Sequence, residues 1–174
     1  MTEIRTERFL MRPPVIDDAA AIADIISDRR IYENVASIEP SQGMEKTGRW
    51  ILNAERGAQL GTDHVFLVVE EGVVIATAAA HRRATSEPFE IGYWVAPAHW
   101  GRGVATEAAR ALVTWLEARG QAAKLVSGHF KDNPASGRVL EKLGFIVTHE
   151  APVYCVGRGC DVDHIFMVRK AGTE

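Results

Sequence analysis

The sequence is poor in cysteine and nearly balanced in charge, and these features exclude several kinds of protein. Its 174 residues include two cysteines and six histidines. No CxxC pair is present and the histidines lack the spacing of zinc ligands, so we expect no metal. The net charge of -3 gives no reason to expect nucleic acid or an anionic membrane as a partner.

Long apolar segments are also missing. The longest apolar runs are far shorter than the roughly 20 residues that span a bilayer. The first ten residues carry Glu3, Arg5, Glu7 and Arg8, unlike a secretory signal peptide. We therefore expect a cytoplasmic protein without a membrane partner. The length and the hydrophobic fraction of 47% fit a single domain over residues 1–174, and monomer and homodimer both remain open.

The two cysteines lie close together in the chain. Cys155 and Cys160 are separated by Val-Gly-Arg-Gly, so a hairpin could bring them near each other. Two cysteines in a cytosolic protein more often stay reduced. Whether this pair ever forms a disulfide stays open.

The chain is organised around residues 90–108, which predict a strand, a glycine loop and a helix. Apolar residues alternate over 90–95 as in a strand, and Pro97 ends it. Gly101 and Gly103 allow the backbone to approach a ligand closely, and Thr106 falls in the first helical turn. A helix that opens from such a loop presents free N–H groups and a positive dipole end. We hypothesise that this stretch binds a cofactor diphosphate.

The loop alone leaves alternatives open. A Rossmann fingerprint requires a third glycine after Gly103, and position 106 is threonine. A Walker loop requires a Gly-Lys-Ser/Thr ending, which is absent. A tight strand-to-helix turn without any ligand also fits the sequence.

Hydrophobic periodicity predicts a mixed α/β sheet, antiparallel in its first part, with helices packed on it. The predicted strands cover residues 4–12, 64–70, 73–82, 90–95, 123–130, 145–156 and 161–169. The four predicted helices cover residues 17–30, 41–58, 104–119 and 134–143. Asp17 and Asp18 are expected to start the first helix and Ser41 the second.

A second motif decides between the alternatives. Residues 133–145 read Asn-x-x-Ser-x-x-x-Leu-Glu-Lys-x-Gly-Phe, which resembles motif B of the GNAT superfamily of N-acetyltransferases. Residues 95–108 resemble its motif A. The Tyr-Trp of the strand, the Trp-Gly-Arg-Gly loop and residues 6–12 are similar to the RimJ/RimL branch, whose members acetylate ribosomal proteins. Two motifs in the right order make the resemblance specific.

The resemblance implies the GNAT acyl-CoA N-acyltransferase fold, a mostly antiparallel sheet flanked by about four helices. It also implies acetyl-CoA as co-substrate and a primary amine as acceptor, either a protein or peptide α-amino group or a small amine. Transfer would be direct, in a ternary complex. The alternative is a catalytically silent acyl-CoA-binding module with a regulatory role.

The same resemblance implies a set of cofactor-binding residues. They are Trp94, Val95, Gly101, Arg102, Gly103, Val104, Ala105, Thr106, Asn133 and Ser136. The loop N–H groups would hold the diphosphate, with Arg102 and the Thr106 hydroxyl beside it. The Val95 backbone would pair with the pantetheine arm and donate to the thioester carbonyl, and Asn133 would bond the pantetheine.

Ser136 and Glu90 are the main candidates for acid–base catalysis. Ser136 could donate a proton to the leaving thiolate, because no tyrosine lies in the segment where many family members have one; alternatively it only lets the helix pack close to CoA. Glu90 could deprotonate the amine through a water, or be a solvated carboxylate at a strand end. His81 is a weaker candidate, and an α-amino group with a pKa of about 8 needs no dedicated base.

Contacts to the acceptor are the least determined part of the sequence. The first two helices and the last hairpin would wall the acceptor cleft in this family. Weak candidates for acceptor contacts are Glu33, Asn34 and Tyr154. Asp161, Asp163 and His164 near the last hairpin could also touch the acceptor, but we expect them to lie in a solvated turn.

Overall fold

The computed structural model describes residues 3–170, which form an eight-stranded sheet and five α-helices. The strands are β1 (Ile4–Arg5), β2 (Leu10–Arg12), β3 (Asp63–Glu70), β4 (Val73–His81), β5 (Phe89–Val95), β6 (Lys124–Phe130), β7 (Ile146–Cys155) and β8 (Cys160–Lys170). The helices are α1 (Ala19–Ile26), α2 (Arg29–Tyr32), α3 (Met44–Leu60), α4 (Val104–Glu117) and α5 (Pro134–Lys142).

The strands are arranged in the order β1-β2-β3-β4-β5-β6-β8-β7. Every neighbouring pair is antiparallel except β5 and β6, which run parallel. This arrangement confirms the predicted mixed, mostly antiparallel sheet. Within residues 3–170, no helix has the length and apolarity needed to cross a membrane.

Helices cover both faces of the sheet and bury two hydrophobic clusters. On one face α4 contributes Ala108, Leu112 and Leu116, which pack on the middle strands. On the other face Ile22 of α1 and Ile51 of α3 pack over β3 and β4. Each helix buries residues spaced three or four apart, which is the amphipathic pattern of a helix on a sheet. The sheet therefore lies between two layers of helices. A ligand can reach its central strands only where no helix covers them.

The prediction of one continuous strand over residues 4–12 is wrong. The chain folds back on itself, and β1 and β2 pair as a short hairpin. Thr6 drives this turn, because its hydroxyl accepts a hydrogen bond from Phe9 N at 2.9 Å and its own N–H donates to the Phe9 carbonyl at 3.0 Å. A threonine hydroxyl that bonds the nearby backbone competes with strand pairing.

The first helix is interrupted where the sequence predicted one helix over residues 17–30. α1 ends at Ile26, and Asp28 begins a new helix by accepting a hydrogen bond from Arg30 N at 2.9 Å. An N-cap aspartate starts a helix because its carboxylate bonds the free N–H groups of the first turn. The five helices therefore include one more than predicted.

Asp18 occupies the N-cap position of α1, as predicted, but its side chain makes no capping hydrogen bond to this helix; the predicted cap at Ser41 is wrong. The Asp18 carboxylate instead accepts two hydrogen bonds from the Arg12 guanidinium, both at 2.7 Å, and one from Val15 N at 2.8 Å. The bond from Arg12 lowers the pKa of Asp18. α3 begins after Gly43, which supplies no capping side chain. Asp18 thus stands at the start of α1, and its side chain ties this helix to β2.

Candidate active site

A gap opens between β5 and β6 in the middle of the sheet. The parallel pairing of these strands ends at Glu90 and Val126, although both strands continue. The Ser127 hydroxyl donates to the Ile91 carbonyl at 2.6 Å at the point where they separate. Backbone groups beyond this point lack a strand partner on one side, and such groups need a bonding partner when buried.

The Val95 N–H faces this gap. Backbone groups in a strand alternate between its two sides, and the Ile91 carbonyl points toward β6, so the groups of Val95, four residues on, point the same way. The Val95 carbonyl accepts a hydrogen bond from Trp100 Nε1 at 2.7 Å. The N–H of Ala96 points the other way and donates to β4 at 2.8 Å. The N–H of Val95 is therefore available to a ligand in the gap.

The glycine loop and the start of α4 form one end of the site. Gly101 and Gly103 have φ angles of 75° and 76°, in the left-handed region that glycine adopts without strain. Gly103 is the N-cap of α4 and supplies no capping side chain. The first N–H groups of the helix, including those of Val104 and Thr106, have no helical partner. This end can therefore donate hydrogen bonds to an anion.

The Arg102 side chain bonds two neighbouring side chains and does not line the cleft. Its guanidinium donates to both carboxylate oxygens of Glu70, at 3.0 and 2.7 Å, and to His99 Nδ1 at 2.7 Å. The bond from Arg102 lowers the pKa of Glu70. Arginine only donates hydrogen bonds, so His99 Nδ1 accepts and neutral His99 carries its proton on Nε2. The loop is braced to the end of β3, and His99 lines the cleft.

The start of α5 supplies the opposite side of the site. The Asn133 side chain caps the helix by accepting from Ser136 N at 3.4 Å. The Tyr93 hydroxyl donates to the Ser136 carbonyl at 2.9 Å and lies 3.1 Å from Ser136 Oγ. Burial raises the pKa of Tyr93 to about 12, so the phenol stays protonated at neutral pH. Tyr93 therefore holds Ser136 in place at the edge of the gap.

These elements enclose a cleft of about 550 Å³. All of the predicted cofactor-binding residues except Arg102 line it. The other lining residues are Arg30, Ile31, Asn34, Val35, Tyr93, His99, Trp100, Asp132, Ala135, Val139 and Lys142. The prediction missed Tyr93 and His99; strand alternation places Tyr93 on the same face as Val95, which was the available signal.

Glu90 and His81 lie outside the lining of the cleft and pair with each other. They are opposite in the register of β4 and β5, with 3.5 Å between His81 Nε2 and Glu90 Oε2. The hydrogen bond to His81 lowers the pKa of Glu90, and the same bond raises the pKa of His81. His164 lies in β8 rather than in a solvated turn, and burial lowers its pKa.

The remaining acceptor candidates differ in position. Asn34 lines the cleft. The Glu33 carboxylate accepts from Arg29 Nε at 2.7 Å, and Tyr154 is exposed on the edge strand β7.

Cys155 and Cys160 are opposite each other in the β7–β8 hairpin; Cys155 is buried, Cys160 is exposed, and both are free thiols. Among the residues that the structure describes, no cluster of three or more His, Cys, Asp or Glu side chains could hold a metal.

Comparison with known proteins identifies the family. The acetyltransferase (GNAT) domain matches residues 8–146. The uncharacterized N-acetyltransferase YoaA of Bacillus subtilis (strain 168) is 31% identical over 149 residues, which cover 82% of this chain and 81% of that protein. The chain therefore belongs to the GNAT acetyltransferase family. It is an N-acetyltransferase, as the sequence predicted, and this favours an enzyme over the silent binding module.

Two further relatives belong to the ribosomal-protein branch. The ribosomal-protein-serine acetyltransferase of Escherichia coli (strain K12) is 30% identical over 90 residues, covering 51% of this chain and 50% of that protein. A solved structure of RimL, a ribosomal L7/L12 alpha-N-protein acetyltransferase in complex with coenzyme A, has a TM-score of 0.86 and 18% identity, covering 97% of this chain and 98% of that one. The predicted GNAT fold is confirmed.

The pairing of His81 with Glu90 predicts a measurable titration. Because the carboxylate raises the His81 pKa, protonated His81 persists to higher pH, and the pairing is lost as the pH rises through that raised pKa. We expect Glu90→Gln to lower the His81 titration midpoint, measured by NMR of the imidazole protons. Glu87→Gln, an exposed carboxylate in the β4–β5 connection, is the control and should leave the midpoint unchanged. An unaltered midpoint in Glu90→Gln would contradict the pairing.

Proposed function

We propose that this enzyme transfers the acetyl group of acetyl-CoA directly to a primary amine in a ternary complex. The observation that carries the proposal is the gap between β5 and β6, into which the Val95 N–H points beside the free N-terminus of α4. A main-chain donor in this position suits a carbonyl that becomes an oxyanion. The helix N-terminus suits the diphosphate of the same donor.

The donor would bind along the cleft from α4 to Val95. The first N–H groups of α4 and those of the Gly101–Gly103 loop would bond the diphosphate, with the Thr106 hydroxyl beside them. Pantetheine would lie in the gap and pair with the free edge of β5 as an added strand does. The coenzyme A bound by the RimL neighbour supports this assignment.

In our proposal Ser136 supplies the proton that the reaction requires at sulfur. The amine lone pair attacks the thioester carbon and the C–S bond breaks. The Ser136 hydroxyl donates a hydrogen bond and then its proton to the leaving thiolate, and it takes a proton from water in the same step. Tyr93 supports this role, since it bonds the Ser136 carbonyl and keeps its own proton. Asn133 supports it as well, because it caps the helix that carries Ser136.

Because Glu90 lies outside the lining of the cleft, the proton released by the amine would reach it through a chain of water molecules. Its lowered pKa keeps Glu90 ionised at neutral pH, so it can accept a proton, although only weakly. An α-amino group with a pKa of about 8 is partly neutral without help. We therefore propose a polypeptide α-amino group as the first acceptor to test, which the named activities of the two ribosomal-protein relatives support. A small amine remains the second.

The experiment is a turnover assay that follows release of free CoA from acetyl-CoA. The acceptors are serine- and alanine-initiated octapeptides, spermidine, free amino acids and an aminoglycoside, with an N-terminally blocked peptide as the matched control. We expect turnover with a free α-amine and none with the blocked peptide. Tight CoA binding without turnover of any amine would contradict the proposal and favour a silent binding module.

Replacing Ser136 tests its assigned role. Ser136→Ala should lower kcat by on the order of ten- to a thousandfold, a typical acid–base contribution, because the thiolate loses its proton donor. The CoA dissociation constant, measured by calorimetry, should stay within about twofold. Ser86→Ala, in an exposed loop, is the control. A kcat equal to that of wild type would remove Ser136 from the mechanism.

A further inference from the structure

Arg158, at the tip of the β7–β8 hairpin, joins two segments that line opposite sides of the cleft. Its Nε donates to the Glu33 carbonyl at 2.6 Å. Its two terminal nitrogens donate to the two carboxylate oxygens of Asp132, at 2.6 and 3.1 Å, and one of them also donates to Asn34 Oδ1 at 3.4 Å. The side chain is only 20% exposed.

The hairpin tip is seated on the segment after α2 by main-chain contacts. Val156 N donates to the Ala36 carbonyl at 2.9 Å. A Cβ on Gly157 would lie 2.1 Å from the Tyr32 carbonyl oxygen, so only glycine allows this close approach. The tip and the segment after α2 therefore form one wall, and Arg158 is the side chain that extends from this wall to Asp132.

Asp132 connects this wall to the proposed catalytic helix. It directly precedes Asn133, the N-cap of α5, and Ser136 follows in the first turn. Asn34 and Val35 line the cleft from the wall, and Asp132 and Ser136 line it from the other side. The guanidinium thus links the wall to the residue that precedes the N-cap of the helix carrying Ser136.

The geometry of this link is specific to arginine. The guanidinium is a planar fork with five fixed donors, and here it bonds a carboxylate with one edge and a carbonyl with Nε. A lysine keeps the charge but has one ammonium nitrogen and cannot occupy both positions. A partly exposed ion pair contributes little to stability, whereas a bidentate pair restricts orientation. We therefore expect Arg158 to contribute more to the relative positions of the two segments than to the free energy of unfolding.

We propose that Arg158 is a positioning residue that sets the width of the cleft between the segment after α2 and the start of α5. In doing so it aligns the acceptor amine with the thioester and Ser136. The kinetic part of the proposal rests on the proposed function, whereas the structural part does not.

The test compares Arg158→Lys with Arg169→Lys. Arg169 is a closely matched control, because it is also 20% exposed and donates through Nε to the Leu143 carbonyl and through a terminal nitrogen to Glu117, at 2.8 and 2.6 Å. It lies outside the lining of the cleft. The two variants should lower the Tm by similar amounts. A difference between their kinetic constants therefore comes from the position of the arginine and not from a loss of stability.

The kinetic arm uses acetyl-CoA and the serine-initiated octapeptide. We expect Arg158→Lys to lower kcat/KM for the peptide roughly ten- to a hundredfold, mostly through kcat, because small misplacements of the reactants slow the chemical step. The CoA dissociation constant should change less than about twofold, since the α4 loop is untouched. Arg169→Lys should leave both values near wild type. Equal kinetic effects of the two variants, or no effect of Arg158→Lys, would overturn the proposal.

Hydrogen exchange gives an arm that is independent of the acceptor. Arg158→Lys should speed amide exchange in residues 32–36 and 132–136 together, and Arg169→Lys should not. Unchanged exchange in both segments would overturn the proposal even if the enzyme is active. If the wild type leaves every amine unacetylated, the proposed function fails while this arm still decides whether Arg158 joins the two sides.

Discussion

The separation of β5 from β6 is the constraint on which the site depends. A parallel pair that stops after Glu90 leaves the backbone groups of β5 that face β6 without a strand partner. A protein interior tolerates such groups only if other donors and acceptors bond them. Ser127 and Trp100 supply two such partners, at the Ile91 and Val95 carbonyls. The N–H of Val95 is left for a ligand. On the far sides of the gap β5 is paired with β4 and β6 with β8, so strand pairing holds both of its edges.

The segments around the gap are braced by charged side chains. Arg102 bonds Glu70 and fixes the glycine loop to β3. Arg8 bonds Glu107 in the first turn of α4, with 2.7 Å between Nη2 and Oε2, and so ties the N-terminal hairpin to the same helix. Such partly exposed pairs add little stability, but together they fix where the helix N-terminus points. An anion site that is already formed loses less conformational entropy when its ligand binds.

Much of the fold was predictable from the sequence because local patterns decided it. The strands of the β3–β4 hairpin followed from two apolar runs on either side of Glu71-Gly72, and β5 followed from alternating apolar residues. The errors also have local causes. Thr6 turns the chain inside the predicted first strand, and Asp28 starts a new helix inside the predicted first helix. Both residues bond neighbouring backbone groups, which hydrophobic periodicity does not register.

The site was predictable where it rests on the backbone and less so where it rests on paired side chains. The residues of the glycine loop and the start of α5 line the cleft, as their motifs implied. Arg102 was assigned from its position in the first motif and Glu90 from its position at the start of β5, but Arg102 bonds Glu70 and Glu90 pairs with His81. Tyr93 and Ser136 are 43 residues apart, and Arg158 and Glu33 are 125 apart. Contacts at such separations follow from the tertiary fold, which one sequence does not display.

The measurement that tests the central claim most directly is the CoA affinity of Gly103→Val against Gly120→Val. Both glycines have a left-handed φ, 76° and 67°, so both variants carry a similar backbone strain of about 1–3 kcal/mol. Only Gly103 adjoins the proposed diphosphate site. By calorimetry, Gly103→Val should weaken CoA binding at least about tenfold while Gly120→Val binds CoA like wild type. Equal CoA affinities in the two variants would contradict a donor held at this loop.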